Sequence, residues 1–553
     1  MKVGLIVDSK LVSKQIYDLI KFSNSSDKYE ISKIIIQKNP EKETNIFLFS
    51  YLYIRKRGFK NFINNLSFRV LSKFEEMFVR IFFNYDNFFK KFNINNFDID
   101  TIEVSPKIHR NGIVYEYLDA DIRKISSSNL DLLVRAGSGI LKGKILNVCT
   151  QGVISFHHGD NNVNRGGPPA FWEVYNKEDR SGFTIQILKD ELDGGDVIFR
   201  GFIATAASYT LNLVNIYEKS NIFLHKMIEK LSIKDMPVQI YPKIPHYHKL
   251  FKTPNIGVQF IYIINTTVLL VSKIIRKLFF YKLRWNVSYQ FTNNWKDVVL
   301  RKSKTIKNPK NQFLADPFIV KRNELHFCFM ENFCYKENKG HISVYKIGKD
   351  GYENLGIALK ENFHLSFPFI FEFNNSLYMC PETLEANDIR IYKCDEFPLK
   401  WSLSKILIKN IKAVDTCIFY KNEKWWILTN TCSSDIDNFT SELHLFSSND
   451  LLVGDWKPHK KNPVIFDSLK ARNGGLIIDD DKIYRIYQRQ GFDFYGKSLG
   501  AAEIKELNND DYKESTIFEI HPYFFKNILG THTFNYCDGL FVNDFVKVEK
   551  YNK

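Results

Sequence analysis

The chain has 553 residues, 44% of them hydrophobic, enough for two or three domains with cores of their own. Lys and Arg number 77 against 62 Asp and Glu, a formal net charge of +15. That excess favours anionic partners such as phosphate, sugar nucleotides or acidic lipid surfaces, although a base-composition bias towards Lys, Asn, Ile and Phe produces the same balance. The basic residues are spread out and no recognised nucleic-acid motif occurs, which sets nucleic acid aside as a partner. Eight cysteines without C-x-x-C spacing point to thiols in a reducing compartment rather than disulfides or zinc ligands, and no metal site is expected.

Val3–Val7 reads as a first β-strand, too short and too early for a signal peptide. The expected location is cytoplasmic, extending to the inner face of the membrane. Ser9–Phe22 reads as a helix and Ile31–Ile36 as a second strand, a βαβ start without the GxGxxG fingerprint. Residues 48–95 interleave aromatic and basic side chains. Phe68, Leu71, Phe74, Phe78 and Phe82, among Arg69, Lys73 and Arg80, have helical spacing. Such a helix packs on the sheet, on a partner or in a membrane interface. Thr101–Val104 and Asp131–Val134 are further strands.

The run Gly152-Val-Ile-Ser-Phe-His-His-Gly-Asp-Asn-Asn-Val-Asn-Arg-Gly-Gly-Pro-Pro-Ala-Phe-Trp172 organises this half. Val153–Phe156 reads as a strand that delivers His157 and His158 into a polar, glycine-rich loop. Pro168-Pro169 are placed to open a helix. Histidines at a strand end, before a loop and a helix, suit a functional site in an open α/β sheet. Phe183–Leu188 is another strand, and Leu213–Leu231 a closing helix.

These residues resemble the formyltransferase domain of methionyl-tRNA, glycinamide-ribonucleotide and sugar N-formyltransferases. The hallmark looks like Asn-x-His, a loop, Arg-Gly, a helix, Thr-Gly-x-Thr and Asp-x-Gly-x-Ile. His157, Arg165-Gly166, Ser181-Gly-Phe-Thr184 and Asp193-Gly-Gly-Asp-Val-Ile198 follow that order, and Leu133–Leu141 resembles the preceding strand and loop. The resemblance covers roughly residues 1–230. It implies a Rossmann-like formyltransferase fold with 10-formyltetrahydrofolate as donor. His157 would be the base or its electrostatic support, oriented by Asp193. Ser155 stands where the family has a catalytic Asn, and a hydroxyl replaces a directed amide donor. Arg165, Gly137, His158, Asp160 and Asn161 are the candidate substrate- or cofactor-binding residues. The run from His158 to Asn161 departs from the family pattern, so substrate or chemistry differs there.

Residues 234–257 carry four prolines and read as a linker. Val258–Ile275 is strongly apolar and is followed by Arg276, Lys277, Lys282 and Arg284. This suits a peripheral membrane contact or a buried interdomain helix. From about Trp285 short β runs recur in five imperfect units, beginning near Ala315, Ser366, Val414, Asn473 and His532. The expected architecture is α/β plus all-β: an α/β domain (1–235), a linker with an apolar and basic helix (236–295) and a five-bladed β-propeller (296–553), whose last blade needs an early strand. The repeats resemble the five-bladed propellers of furanosidase-type glycoside hydrolases and a domain of plant glucosamine inositolphosphorylceramide transferases. That likeness suggests Asp316 as a base, with Glu331, Glu382 and Asp415 as partners, or all four as sugar-binding groups. Trp425, Trp426, Trp456 and Tyr487 are candidates to stack on sugar rings.

The leading expectation is N-formyl transfer to an amino sugar in surface-glycan biosynthesis, with a nucleotide- or lipid-linked sugar as partner. A glycosyltransferase or other group transferase using the same crevice is the alternative, and a non-catalytic glycan-binding protein is the third reading.

Overall fold

The computed structural model describes residues 1–38, 51, 53–55, 58–83, 85–109, 113–163, 165–191, 194–234, 238–246, 248–434 and 439–550. They form two compact units, Met1–Val268 and Leu269–Lys553.

In the first unit, seven strands make one sheet: β1 (Lys2–Val7), β2 (Glu30–Gln37), β3 (Asp100–Val104), β4 (Leu132–Arg135), β5 (Val153–His157), β6 (Arg180–Ile187) and β7 (Asp196–Ala204). The order is β7-β6-β5-β4-β1-β2-β3. Strands β1 to β5 run parallel, whereas β6 and β7 add on antiparallel. β1 and β4 are nearly continuous apolar runs because a strand covered on both faces has no solvent side to polarise. Val3, Leu5, Leu132, Leu133 and Val134 are accordingly fully buried. The chain leaves β1 in one direction for β2 and β3, then returns to place β4 and β5 on the other side. The strand order therefore reverses between β1 and β4, and their carboxyl ends flank the crevice where open α/β sheets bind ligands.

Five helices matter below: α1 (Lys14–Ser25), α2 (Phe59–Phe83), α3 (Phe171–Asn176), α4 (Tyr209–Leu231) and α5 (Ile256–Leu278). Three of these starts differ from the sequence reading. α1 begins at Lys14, because Leu11–Ser13 pairs as a short strand with Lys91–Asn93 and its backbone groups are satisfied there. α3 begins at Phe171 rather than at the prolines, because Ala170 sits at φ +67 and turns the chain out of the helical path. α4 begins four residues before Leu213, at Tyr209.

The second unit is largely β, in five antiparallel sheets of four or five strands. Four sheets open with β9 (Gln312–Arg322), β10 (Ser366–Phe373), β11 (Ala413–Lys421) and β12 (Asn473–Asp479). The fifth joins both ends of the unit: β8 (Tyr281–Phe291) pairs with β14 (Leu540–Lys550) from Tyr281↔Lys550 to Phe291↔Leu540, and β13 (Phe534–Cys537) pairs with β14. β8 is the early strand that the short last unit lacked. β9 touches β10, β10 touches β11, β11 touches β12, β12 touches β13, and β13 touches β9.

The opening strands share one irregularity. Each slips its register once, at Ala315/Phe318, Ser366/Phe369, Val414/Cys417 and Asn473/Gly475. Within the slips, Asp316 (φ +49), Phe367 (φ +43), Asp415 (φ +49) and Gly475 (φ +139) occupy positive-φ backbone. A bulge re-aims its side chain, and non-glycine residues held there are strained. Two of the three non-glycine residues are the carboxylates Asp316 and Asp415.

Candidate functional sites

The second unit draws together all four carboxylates named from its sequence. Asp316, Glu331 and Asp415 are buried, and the Glu382 side chain is 10% exposed. Arg472 Nε donates to Asp415 Oδ2 at 2.6 Å, and Gln488 Nε2 donates to the same oxygen at 2.9 Å. Glu382 Oε2 lies 4.0 Å from Nη2 of the same Arg472. Burial, and then the Asp415 charge, push the Glu382 carboxyl up to about 8. Burial pushes Asp316 up to about 6 against the opposing pull of His532. Glu331 is held well above the carboxylate range by burial and by the charges of Asp316 and Glu382. Carboxyl groups with such divided proton affinities can serve as acid and base in one site.

Five residues that the sequence reading did not assign complete the cluster. His532 Nδ1 is 2.6 Å from Asp544 Oδ2 and 3.7 Å from Asp316 Oδ1. Burial alone would lower His532, but Asp544 and Asp316 outweigh it and raise the imidazole above its ordinary value. Trp285 stacks on His532 at 3.7 Å, and Tyr495 meets it at 5.5 Å while lying 4.8 Å from the Arg472 guanidinium. Tyr495 keeps 38% of its surface exposed, so the cluster reaches solvent on that side. No local spacing announces these residues, since they come from β8, the loop before β12, the strand Phe494–Leu507 and the last sheet with the segment leading into it. Asp316, His532 and Asp544 offer ligand atoms within 4.8 Å of one another, which a cation would fit.

The sugar-stacking candidates fall elsewhere. Trp425, Trp426 and Tyr487 are buried in the sheet cores, and Trp426 Nε1 donates to Lys421 O. Aromatic spacing alone cannot separate a stacking platform from core packing.

In the first unit, β5 ends at His157, which faces Thr184 of β6 in register. Ser155 is 1% exposed and accepts a hydrogen bond from Arg135 Nη1 at 3.2 Å. Arg135 ends β4 at the sheet's reversal point. Burial lowers its proton affinity, and its Nε has no hydrogen-bond partner among the described residues. A guanidinium closing the apolar run Leu132–Val134 was the overlooked signal. Across the reversal point, Asp8 Oδ1 accepts from Ser138 N (2.9 Å), Ser138 Oγ (3.0 Å) and Gln37 Nε2 (2.7 Å). Gly137 lets this network close, because a Cβ there would lie 2.6 Å from Gln37 Nε2.

The loop residues serve other contacts. His158 stacks face to face on Tyr217 of α4 at 3.8 Å, and burial drives its imidazole down to about 3. It is a neutral ring packed against Tyr217. Asp160 Oδ1 accepts from Asn162 N and lies 3.7 Å from Arg200 Nε, and Asn161 Nδ2 donates to Gln186 Oε1. Both hold the loop against β6 and β7. Arg165-Gly166 pairs in parallel with Leu250-Phe251. Asp193 lies outside the described residues.

Gly166 has φ +96, and a Cβ there would sit 2.1 Å from the Phe251 carbonyl oxygen. Gly166→Ala is expected to cost the first unit about 1–3 kcal/mol and to loosen the 165–251 pairing, read as a lower unfolding midpoint.

The molecule thus joins an α/β unit with a reversal-point crevice to an all-β unit with a buried acid–base cluster. Residues 286–528 match the family "Glucosamine inositolphosphorylceramide transferase 1, N-terminal". The chain is 36% identical over 211 residues to glucosamine inositolphosphorylceramide transferase 1 of Arabidopsis thaliana, covering 37% of this chain and 27% of that protein. It is 28% identical over 140 residues to methionyl-tRNA formyltransferase of Bacillus velezensis, covering 25% of this chain and 44% of that one. A family 117 glycoside hydrolase from Zobellia galactanivorans overlays with a TM-score of 0.33 at 10% identity, covering 47% of this chain and 80% of that one. The match spans about a quarter of the plant relative and under half of the bacterial one.

Proposed function

We propose that the protein is a transferase acting on a sugar, of the glycosyl-transferring kind, and that its second unit works on the sugar. One observation carries this reading: Glu382 and Asp415 converge on the Arg472 guanidinium, at 4.0 and 2.6 Å, where burial and the Asp415 charge hold the Glu382 proton affinity at about 8. At neutral pH the Glu382 carboxyl donates its proton to the oxygen of a leaving group. Asp316 accepts the proton of the attacking hydroxyl or stabilises positive charge developing on the sugar ring, while the Asp415 charge keeps the Glu382 proton in place. The match of residues 286–528 to the plant transferase region supports the substrate class. In the same reading the five sheets are the blades of a propeller covering 296–553, joined through 236–295 to the domain 1–235. The partner is a nucleotide- or lipid-linked sugar, and the place of action is the cytoplasmic side of a membrane.

A second reading has a specific observation behind it. His157 at the carboxyl end of β5, within a chain partly similar to methionyl-tRNA formyltransferase, favours formyl transfer from 10-formyltetrahydrofolate to an amino sugar at the first unit. Ser155 and Arg135 would supply the donors there.

Calorimetry with sugar nucleotides and with 10-formyltetrahydrofolate, paired with turnover of Glu382→Gln and His157→Ala, separates the readings. Sugar-nucleotide binding with activity lost only in Glu382→Gln is the expected result. Folate binding with activity lost only in His157→Ala overturns it in favour of formyl transfer. Glycan binding without turnover in the unaltered chain overturns both enzyme readings.

A further inference from the structure

Two helices far apart in sequence meet in the first unit. Asn64 of α2 accepts from Gln259 Nε2 (3.0 Å, at its backbone oxygen) and from Ile256 N (3.3 Å, at its side chain). The Tyr262 hydroxyl of α5 donates to Glu75 of α2 and accepts from Tyr209 N at 2.8 Å. The inward faces converge on one aromatic patch: Phe68 meets Phe171 and Tyr209, each at 5.3 Å, and Tyr262 meets Phe171 at 5.0 Å.

The opposite faces are apolar and bare. On α2, Leu66, Val70, Phe74, Met77 and Ile81 fall on one stripe by steps of three and four, on the side away from Asn64, Phe68 and Glu75, and are 49–68% exposed. On the part of α5 that belongs to the first unit, Phe260, Ile264 and Val268 make a second stripe, 44–62% exposed. Soluble surfaces rarely leave such contiguous apolar area uncovered.

Charge decides what covers it. α5 has no acidic residue and ends in Arg276 and Lys277, both exposed. On α2, exposed Arg69 and Lys73 flank the stripe, while its two acids are engaged, Glu75 with Tyr262 and Glu76 with Lys73 and Arg80. A second copy of the chain would bring like charges together, whereas an anionic bilayer complements them. Length decides how deep it goes. α5 has 23 residues, and an 18-residue window of it has a mean hydropathy of 1.7. At about 1.5 Å per residue it would span a hydrocarbon core of about 30 Å. Its first turns, through Tyr262, are hydrogen-bonded into the unit, and the remaining sixteen residues reach only about 24 Å. A helix so tethered lies in the interface.

We propose that the outward faces of α2 and α5 form one docking surface for an anionic lipid bilayer, with α5 lying along the interface rather than crossing it. The full chain is floated with phosphatidylcholine vesicles, with and without about one third phosphatidylserine. The expected result is co-flotation with the anionic vesicles only, released by high salt. Phe74→Glu with Ile81→Glu, and separately Phe260→Glu with Val268→Glu, should each lower the bound fraction about tenfold or more, given the apolar area each pair removes. Their unfolding midpoints should stay unchanged, since all four side chains are exposed. Three outcomes overturn the proposal: no flotation with either vesicle, flotation of both double variants like the parent, or a dimer that Phe74→Glu dissociates. Resistance to alkaline extraction from vesicles would overturn the interfacial placement.

Discussion

Glu382→Gln is expected to lower turnover by about 10²–10⁴-fold while leaving sugar binding nearly intact, because it keeps shape and removes the donated proton. Asp415→Asn should act similarly and also leave Arg472 without its ion pair. The same chemistry sets the pH profile. Asp316 titrates near about 6 and Glu382 near about 8, so kcat/KM should rise through the first value and fall through the second. The four carboxyl groups are coupled, and those limbs belong to the cluster as a whole. Stability should follow the opposite sense to a salt-bridged acid. The folded-state affinity of Glu382 lies above its unfolded value of 4.5, so its contribution is complete below about pH 4.5 and is lost as pH rises through about 8. Melting of the parent should therefore decline from pH 5 to pH 9, and Glu382→Gln should flatten that decline. A parent profile with no basic limb near 8, or a Gln variant with full turnover, would remove Glu382 as the acid.

The second large effect is expected at Arg485, which touches no candidate catalytic group. Its guanidinium is fully buried and binds Glu514 through two bonds, Nε to Oε2 at 2.8 Å and Nη2 to Oε1 at 2.7 Å. Nη2 also donates to Lys470 O at 2.7 Å and Nη1 to Ala471 O at 3.4 Å. These two carbonyls immediately precede Arg472, the partner of Asp415. Arg485→Met would strip the largely buried Glu514 carboxylate of its cation, leaving it the Tyr512 hydroxyl, and free the segment that aims Arg472. The expected cost is about 3–5 kcal/mol in the second unit, read by denaturant unfolding. The Gln variant at 514 in the same background should recover part of it. If Arg472 is aimed through this segment, the surviving folded fraction should also lose activity per molecule, whereas a purely structural role would leave specific activity unchanged.

Much of the architecture was legible along the chain. Apolar runs at Val3–Val7 and Leu132–Val134 marked strands covered on both faces, and the repeated openings near Ala315, Ser366, Val414 and Asn473 marked the sheets. Both kinds of signal are local, because strand burial and turn chemistry are written within a few residues. Asp316, Glu331, Glu382 and Asp415 were named from the likeness of the repeats to furanosidase-type propellers, and the structure brings them together. His532, Asp544, Arg472, Tyr495 and Trp285 were not, because they enter the cluster from separate elements and share no spacing. In the first unit, helix starts slipped where backbone pairing or a left-handed residue overrode propensity, at Leu11–Ser13 and Ala170.

The sequence by itself determined the division into an α/β half and a β-repeat half and the strand runs, since composition and periodicity act over short distances, while the acids came from the likeness of the repeats to a known family. Only the tertiary structure decided that Glu382 sits against Asp415, that His158 is a packed ring, and that the bare faces of α2 and α5 lie on adjoining helices. Those facts depend on burial and on charges brought together from distant positions, and proton affinity and exposure are properties of surroundings rather than of residues.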